Sequence, residues 1–177
     1  MKNRTRLGRR IFEMCLFSML AALMLCTKVI MEVLPNIHLL GMLTILDTLL
    51  VRVKALIPIY IYVFLNGLLA GFNAWWVPYL YIWTVLWAVT MLLPKKMPQK
   101  VGAIVYPSLC ALHGLAFGIL YAPAQAIMFG LTFEETVAWV LTGIPFDLIH
   151  MIGNFAVGLL ILPLYKVLSR IVEKETK

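Results

Sequence analysis

Six long apolar runs dominate the sequence, separated by short segments rich in charge, proline, glycine and asparagine. They cover residues 11–31, 37–51, 55–71, 76–93, 102–122 and 136–165. A helix needs about 20 predominantly apolar residues to cross the hydrocarbon core of a bilayer, and 63% of the 177 residues are hydrophobic. This excludes a soluble globular protein. The pattern predicts an all-α integral membrane protein, a six-transmembrane-helix bundle that forms a single membrane domain over residues 1–177.

The basic residues divide the predicted connections into two kinds. If the N-terminus is cytoplasmic, every lysine and arginine except Lys28 falls on the cytoplasmic side, as the positive-inside rule requires. Lys28 lies near the outer end of the first predicted helix, where its long side chain can reach the surface. We therefore expect both termini to be cytoplasmic. The net charge of +7 reflects this topology and not nucleic-acid binding, because basic nucleic-acid proteins are not built from continuous apolar runs.

The predicted outer connections, at 32–38, 71–79 and 121–135, differ in chemistry from the short, basic inner ones, since they carry aromatic, amide and histidine side chains. Aromatic residues at a membrane interface commonly act as anchors. Those of the fourth predicted helix crowd into its outer half, however, and a wall of aromatic rings can also line a ligand pocket. The candidate substrate-binding residues in these segments are Asn36, His38, Trp75, Trp76, Tyr79 and Trp83.

Three polar residues of the sixth predicted helix, Asp147, His150 and Asn154, are spaced by three and four positions. This spacing places them on one helical face, and Pro145 just before them is expected to kink or open the helix. An ionisable side chain at mid-bilayer costs roughly 2.5–3.5 kcal/mol on insertion scales, so each needs a partner or a cavity. Two interpretations remain open here. The three residues form one wall of an outward-facing binding site, or Asp147 and His150 pair with each other or with His113 as interhelical contacts.

Isolated polar residues elsewhere have simpler interpretations. Asn66 and His113 are single polar residues near mid-membrane, for which satisfied packing is expected. Asp47 lies close in sequence to Arg52 and Lys54, which predicts a local ion pair near the inner interface.

Small residues at intervals of four allow two helices to approach closely. Most such stripes pack inside a bundle, whereas one that faces lipid can dock a second membrane protein. The stripes are Ser18, Ala22 and Cys26 in the first predicted helix, Gly67 and Gly71 in the third, and Gly114 and Gly118 in the fifth.

No pattern in the sequence indicates a cofactor, a metal site or a nucleotide site. The cysteines Cys15, Cys26 and Cys110 lie in apolar runs without CxxC or Cys/His spacing, so neither a disulfide framework nor a zinc site is expected. The phosphate-binding motif GxxxxGK[ST] does not occur in the sequence, so any ATP hydrolysis has to come from a partner.

Over nearly its whole length the chain resembles the substrate-binding S components of energy-coupling factor (ECF) transporters, the vitamin-uptake systems of bacteria. The resemblance rests on the basic N-terminus, six helices in a short chain and the stripe on the first helix. It rests also on LPNI at 34–37, on GF and WWVPYLY within 71–81, and on GIPFDLIH at 143–150 followed by Gly153-Asn154. These segments are similar to those of the cobalamin-specific type.

The resemblance implies a passive binder in the bacterial cytoplasmic membrane and not an enzyme. An S component captures a vitamin from outside, with the connection at 32–38 as a lid, and topples in the bilayer to release it inward. It docks on a transmembrane scaffold subunit that is driven by two ATPase subunits. In the family an AxxxA stripe on the first helix contacts the scaffold. That stripe corresponds here to the relaxed form Ser18, Ala22 and Cys26.

Two other functions are compatible with parts of the sequence. Glu134 and Glu135 with His150 resemble the paired glutamates and histidines of CAAX-type intramembrane proteases, which carry EExxxR, but Trp139 stands at the arginine position. These glutamates are expected instead in the first turn of the last helix, where negative charge suits a helix N-terminus. A structural membrane assembly protein without a small-molecule ligand is the second alternative.

Overall fold

The computed structural model describes residues 6–34, 37–95 and 97–176, and within these ranges every regular element is helical. The α-helices are α1 (Arg6–Ile30), α2 (Leu40–Val51), α3 (Leu56–Ala70), α4 (Tyr79–Leu92), α5 (Gln99–Leu115), α6 (Phe117–Phe129), α7 (Phe133–Gly158) and α8 (Ile161–Thr176). Short 3₁₀ turns at Met31–Val33, Arg52–Ala55 and Ala74–Trp76 complete the chain path.

Five helical stretches among the described residues are long and apolar enough to cross a membrane. They are Arg6–Val33, Leu40–Ala70, Ala74–Leu92, Gln99–Phe129 and Phe133–Gly158. The second stretch contains both α2 and α3, and the fourth contains both α5 and α6. The architecture is therefore consistent with the predicted α-helical membrane protein.

The last two predicted helices differ from the observed ones in their bounds. The predicted helix 102–122 corresponds to α5 and α6, which meet at Ala116. The predicted helix 136–165 corresponds to α7 and the first residues of α8. An outer connection was expected from Tyr121 to Glu135, which is wrong because α6 continues to Phe129. The connection is short because Gly130, at φ +64°, ends α6 in the left-handed conformation that glycine accepts readily.

The start of α7 is fixed by a capping box. The Thr132 side chain accepts a hydrogen bond from the backbone N–H of Glu135, and the Glu135 side chain accepts one from the backbone N–H of Thr132. This confirms that Glu134 and Glu135 belong to the first turn of the helix. The helix then continues through Pro145 without interruption, so the predicted opening at this proline is not observed.

Helix α2 lies at the centre of the bundle. All its residues from Leu40 to Leu49 are buried, and α1, α4, α5, α7 and α8 all pack against it. A helix that is apolar on every side is stable only when it is surrounded, which explains why this short run lacks a polar face. The core around it includes Met24, Ile59, Tyr62, Val63, Ile82, Trp83, Leu86, Cys110 and Ile161.

The turn from α2 to α3 is bound to α4. Arg52 has φ +55°, a conformation that is uncommon outside glycine, and it ends α2. Its Nη2 donates a hydrogen bond to the carbonyl oxygen of Met91 at 2.9 Å. Its own carbonyl accepts one from Trp87 Nε1 at 3.2 Å. These two bonds hold the turn in its unusual conformation.

Asp47 contradicts the expected ion pair with Arg52 and Lys54. Its side chain is completely buried, and among the described residues neither carboxylate oxygen has a hydrogen-bond partner. Lys54 Nζ instead lies 2.6 Å from Glu13 Oε1 on α1. The prediction was wrong because α2 is enclosed by other helices, which keeps Asp47 away from the basic surface that is close to it in sequence.

Helices α5 and α7 form the most extensive helix pair of the fold, and glycines bring them together. A Cβ on Gly114 would lie 2.9 Å from the backbone oxygen of His150, and one on Gly158 would lie 2.7 Å from the Cα of Pro107. A Cβ on Gly118 would meet the Asp147 carboxylate. The predicted glycine stripe of the fifth run therefore packs inside the bundle.

Helix α1 has one buried and one exposed face. Phe17, Leu20, Ala21 and Met24 are buried, whereas Ser18, Ala22 and Cys26 are exposed. The small-residue stripe of α1 thus differs from the glycine stripe of α5, because it lies on the outer surface of the described structure.

Candidate functional site

The three histidines of the chain, far apart in sequence, converge in the interior. His38 belongs to the connection before α2, His113 to α5 and His150 to α7. The Nε2 atoms of His38 and His150 lie 2.9 Å apart, and Phe117 packs against His150 with ring centroids 4.8 Å apart. His113 packs near Phe117, at a centroid distance of 6.3 Å. With Tyr79 and Trp83, these four residues form what we call the imidazole–aromatic cluster.

Trp83 is the centre of this cluster. Only 1% of its surface is exposed, and its ring meets those of His38 at 6.0 Å and His113 at 5.7 Å. Tyr79, one turn earlier on the same face of α4, lies 5.7 Å from it. Residues from the α1–α2 connection and from α4, α5 and α6 therefore surround one indole ring.

Three polar atoms in and beside the cluster are buried without a partner among the described residues: His38 Nδ1, Trp83 Nε1 and the Tyr62 hydroxyl. Tyr62 is a neighbour of Trp83, with ring centroids 6.5 Å apart. Leaving one such group unsatisfied costs about 1–3 kcal/mol. Because buried polar groups in folded proteins almost always have a partner, these three atoms make the surroundings of Trp83 the candidate binding site.

The imidazoles of the cluster provide neutral donors and acceptors. Burial, together with the neighbouring His150 imidazole, lowers the pKa of His38 from its ordinary value of 6.5 to about 3, so this ring is uncharged at pH 7. In its short contact with His150, one Nε2 donates and the other accepts. His113 Nε2 lies 3.3 Å from the carbonyl oxygen of Ile82, to which it donates. His38 can therefore contact a solute without placing a charge in the interior.

The predicted polar face of α7 is confirmed, but its members have different partners. Asp147, His150 and Asn154 are all buried. Asp147 accepts hydrogen bonds from the backbone N–H of Gly118, at 3.1 and 3.2 Å, so it does not take His150 as its partner. Asn154 Nδ2 donates to the carbonyl oxygen of Cys110 at 3.2 Å. Asp147 and Asn154 thus connect α7 to α6 and α5, and of the three only His150 joins the cluster.

Some of the predicted aromatic residues belong to the cluster and others lie outside it. Tyr79 and Trp83 belong to the cluster, and Trp75 packs on Tyr79 at 5.5 Å. Trp76 lies elsewhere: its Nε1 donates to the carbonyl oxygen of Val63 at 2.8 Å, which fastens the turn before α4 to α3. Asn36 lies outside the described residues.

Three residues of the site were not predicted as binding residues: His113, Phe117 and Tyr62. His113 was expected to be a satisfied packing residue. Its spacing of four from Phe117 is a signal that the sequence contains. Only packing shows that the three histidines meet. Tyr62 has no sequence signal beyond its place in an apolar run.

The cluster offers flat apolar rings and neutral hydrogen-bonding groups, the combination typical of small-molecule sites. Among the described residues, no group of three His, Cys, Asp or Glu side chains is arranged to hold a metal ion. A comparison of the chain with protein-family models, with curated proteins and with solved structures finds no match.

Proposed function

We propose that this protein is the substrate-binding S component of an ECF-type transporter that takes up a vitamin or related micronutrient, with cobalamin as the first candidate. It crosses the bacterial cytoplasmic membrane six times with both termini inside, and it captures the solute at its outer face. It then docks on a transmembrane scaffold, and two separate ATPase subunits supply the energy.

The observation that carries the proposal is the set of unpartnered polar atoms around Trp83. His38 Nδ1, Trp83 Nε1 and the Tyr62 hydroxyl have no partner among the described residues, although each of them is surrounded by protein. A solute with several oxygen or nitrogen atoms would satisfy them, and its apolar part would pack on the aromatic rings. A large vitamin with a ring system and amide groups has this chemistry.

The position of His38 supports a lid at the α1–α2 connection. Among the described residues of this connection, His38 enters the cluster, where it contacts both His150 and Trp83. The cluster is closed by this contact, so a solute has to displace His38 from His150.

The protease alternative has less support from the geometry. Glu135 is engaged in the capping box at the start of α7, and His150 lies on the same helix roughly 20 Å further along its axis. A general base has to lie within hydrogen-bond reach of its water and of the groups that assist it. The two glutamates and His150 therefore do not form one catalytic centre.

The exposed stripe on α1 supports the scaffold partner. Ser18, Ala22 and Cys26 are all exposed and lie on one face of a helix whose other face is buried. Small residues on a lipid-facing surface allow the backbone of a second helix to approach closely. This is the surface that the proposal assigns to the scaffold subunit.

We expect a vitamin to stabilise the purified protein, and Trp83→Phe to reduce this effect. A ligand at a hundred times its dissociation constant adds about 2.7 kcal/mol to the free energy of unfolding. Trp83→Phe keeps an aromatic ring but removes the unpartnered Nε1–H, which should weaken binding about tenfold. The measurement is the thermal unfolding midpoint with each member of a vitamin panel that begins with cyanocobalamin.

Trp87→Phe is the matched control, because Trp87 lies one turn further along α4 and bonds to Arg52. It should lower the midpoint of the protein without ligand while leaving the vitamin-dependent increase unchanged. If no vitamin raises the wild-type midpoint, the binder proposal fails and the structural assembly protein becomes the better explanation. If Trp83→Phe and Trp87→Phe reduce the vitamin-dependent increase of the midpoint equally, the solute binds elsewhere.

A further inference from the structure

A basic hollow lies where the start of α1 meets the turn between α2 and α3. It has a volume of about 510 Å³ and is lined by Arg6, Arg9, Arg10, Glu13 and Lys54. The four α1 residues recur at the helical spacing of three and four, so they occupy one face. Lys54 completes the hollow from the 3₁₀ turn Arg52–Ala55.

The charges of the hollow do not balance. Lys54 Nζ lies 2.6 Å from Glu13 Oε1, so the carboxylate that lines the hollow among the described residues is already paired. Arg6, Arg9 and Arg10 are exposed, and their guanidinium groups point toward no carboxylate within salt-bridge distance among the described residues. Arginine binds phosphate through two parallel hydrogen bonds. Three of them around one concave surface are suited to a phosphate group.

Apolar surface adjoins the basic residues on both helices. On α1, Leu7, Ile11 and Met14 are 68%, 52% and 69% exposed. On α3 an open groove of about 650 Å³ begins at Leu56, two residues beyond Lys54, and follows the helix as far as Leu65. The two helices pack side by side. A molecule with an anionic head and a long apolar tail would match this arrangement, whereas a free anion would contact only the basic hollow.

We propose that this hollow binds the phosphate of an anionic phospholipid, with an acyl chain in the groove along α3. The hollow lies at the basic end of the apolar stretch Arg6–Val33, the depth at which lipid headgroups meet a spanning helix. The site lies on the exterior of α1 and α3, apart from the imidazole–aromatic cluster, and the inference does not depend on which solute that cluster binds.

The test is native mass spectrometry of the full-length protein, purified in detergent with equal amounts of phosphatidylglycerol and phosphatidylcholine. The wild type should retain one phosphatidylglycerol with at least tenfold preference over phosphatidylcholine. The triple variant Arg6→Gln, Arg9→Gln and Arg10→Gln should lose this preference. The control variant removes three positive charges elsewhere, by Lys95→Gln, Lys100→Gln and Lys166→Gln, and should retain it.

Two further measurements keep the test decisive if the triple variant folds poorly. The single variants Arg6→Gln and Arg9→Gln should each reduce the preference, and raising KCl from about 50 to about 500 mM should reduce it in the wild type, as expected for exposed charges. Retention of both lipids to the same extent by the wild type would overturn the proposal. So would a loss of the phosphatidylglycerol preference in the control variant that equals the loss in the triple arginine variant. If 10 mM inorganic phosphate alone stabilises the protein as strongly as phosphatidylglycerol does, the site binds a free anion and the lipid assignment is wrong.

Discussion

Gly114→Val is expected to destabilise the protein strongly. A Cβ at this position would lie 2.7 Å from Asn154 Nδ2 and 2.9 Å from the backbone oxygen of His150. The backbone of α7 cannot yield as a flexible side chain does, so the two helices must separate. Overpacking of this kind costs about 1–3 kcal/mol, and loss of the bond from Asn154 to Cys110 adds about 1 kcal/mol. The sum is a large part of the stability of an ordinary domain.

The matched control is Gly143→Val, the same substitution on α7 at a position where a Cβ would meet nothing within 4 Å. After detergent extraction and mild heating, the Gly143 variant should remain monodisperse in size-exclusion chromatography, whereas the Gly114 variant should aggregate. A Gly114 variant with the wild-type unfolding midpoint would show that α5 and α7 are not in direct contact.

Ala22→Trp is expected to prevent docking on the proposed scaffold subunit while leaving solute binding intact. Ala22 is exposed on the face of α1 opposite the buried Phe17, Leu20 and Met24, so an indole there does not disturb the core. It does hold an approaching helix away, because close helix contact in a membrane depends on small residues. The measurement is the amount of scaffold subunit that co-purifies with the tagged variant after both are expressed together with the two ATPase subunits.

Ala156→Trp serves as the control, since it makes the same change at an exposed position of α7. It should co-purify the scaffold as the wild type does. Normal co-purification by the Ala22 variant, or its loss in the Ala156 variant alone, would count against α1 as the docking surface. Vitamin-induced stabilisation of each variant, measured in the same preparations, shows whether the binding site is preserved.

The apolar runs predict the helical membrane architecture because a bilayer leaves few alternatives to the backbone. They also predict the buried face of α7, since the spacing of Asp147, His150 and Asn154 is a local property. The capping residues Glu134 and Glu135 follow from the same local chemistry. Where one helix ends and the next begins within a continuous apolar run, as near Ala116, composition changes too little to predict the break.

Long-range packing decides the rest of the site. His38 and His150 are 112 positions apart in sequence, and no local pattern indicates that they meet. Asp147 was grouped with His150 by spacing, but the close approach of α6 at Gly118 gave it a different partner. Asp47 was expected at a charged surface because Arg52 is near in sequence, whereas the helices around α2 enclose it. In each case the neighbour in space differs from the neighbour in sequence.

Identification of the small molecule that co-purifies with the protein tests the central claim most directly. The full-length protein is purified from native membranes without added vitamins, and the bound fraction is released and analysed by mass spectrometry. We predict one vitamin in near-stoichiometric amount, a corrinoid first of all, and a clear reduction in the Trp83→Phe variant but not in Trp87→Phe. Protein that carries no small molecule, and that binds none from a vitamin panel when supplied with it, would contradict the account.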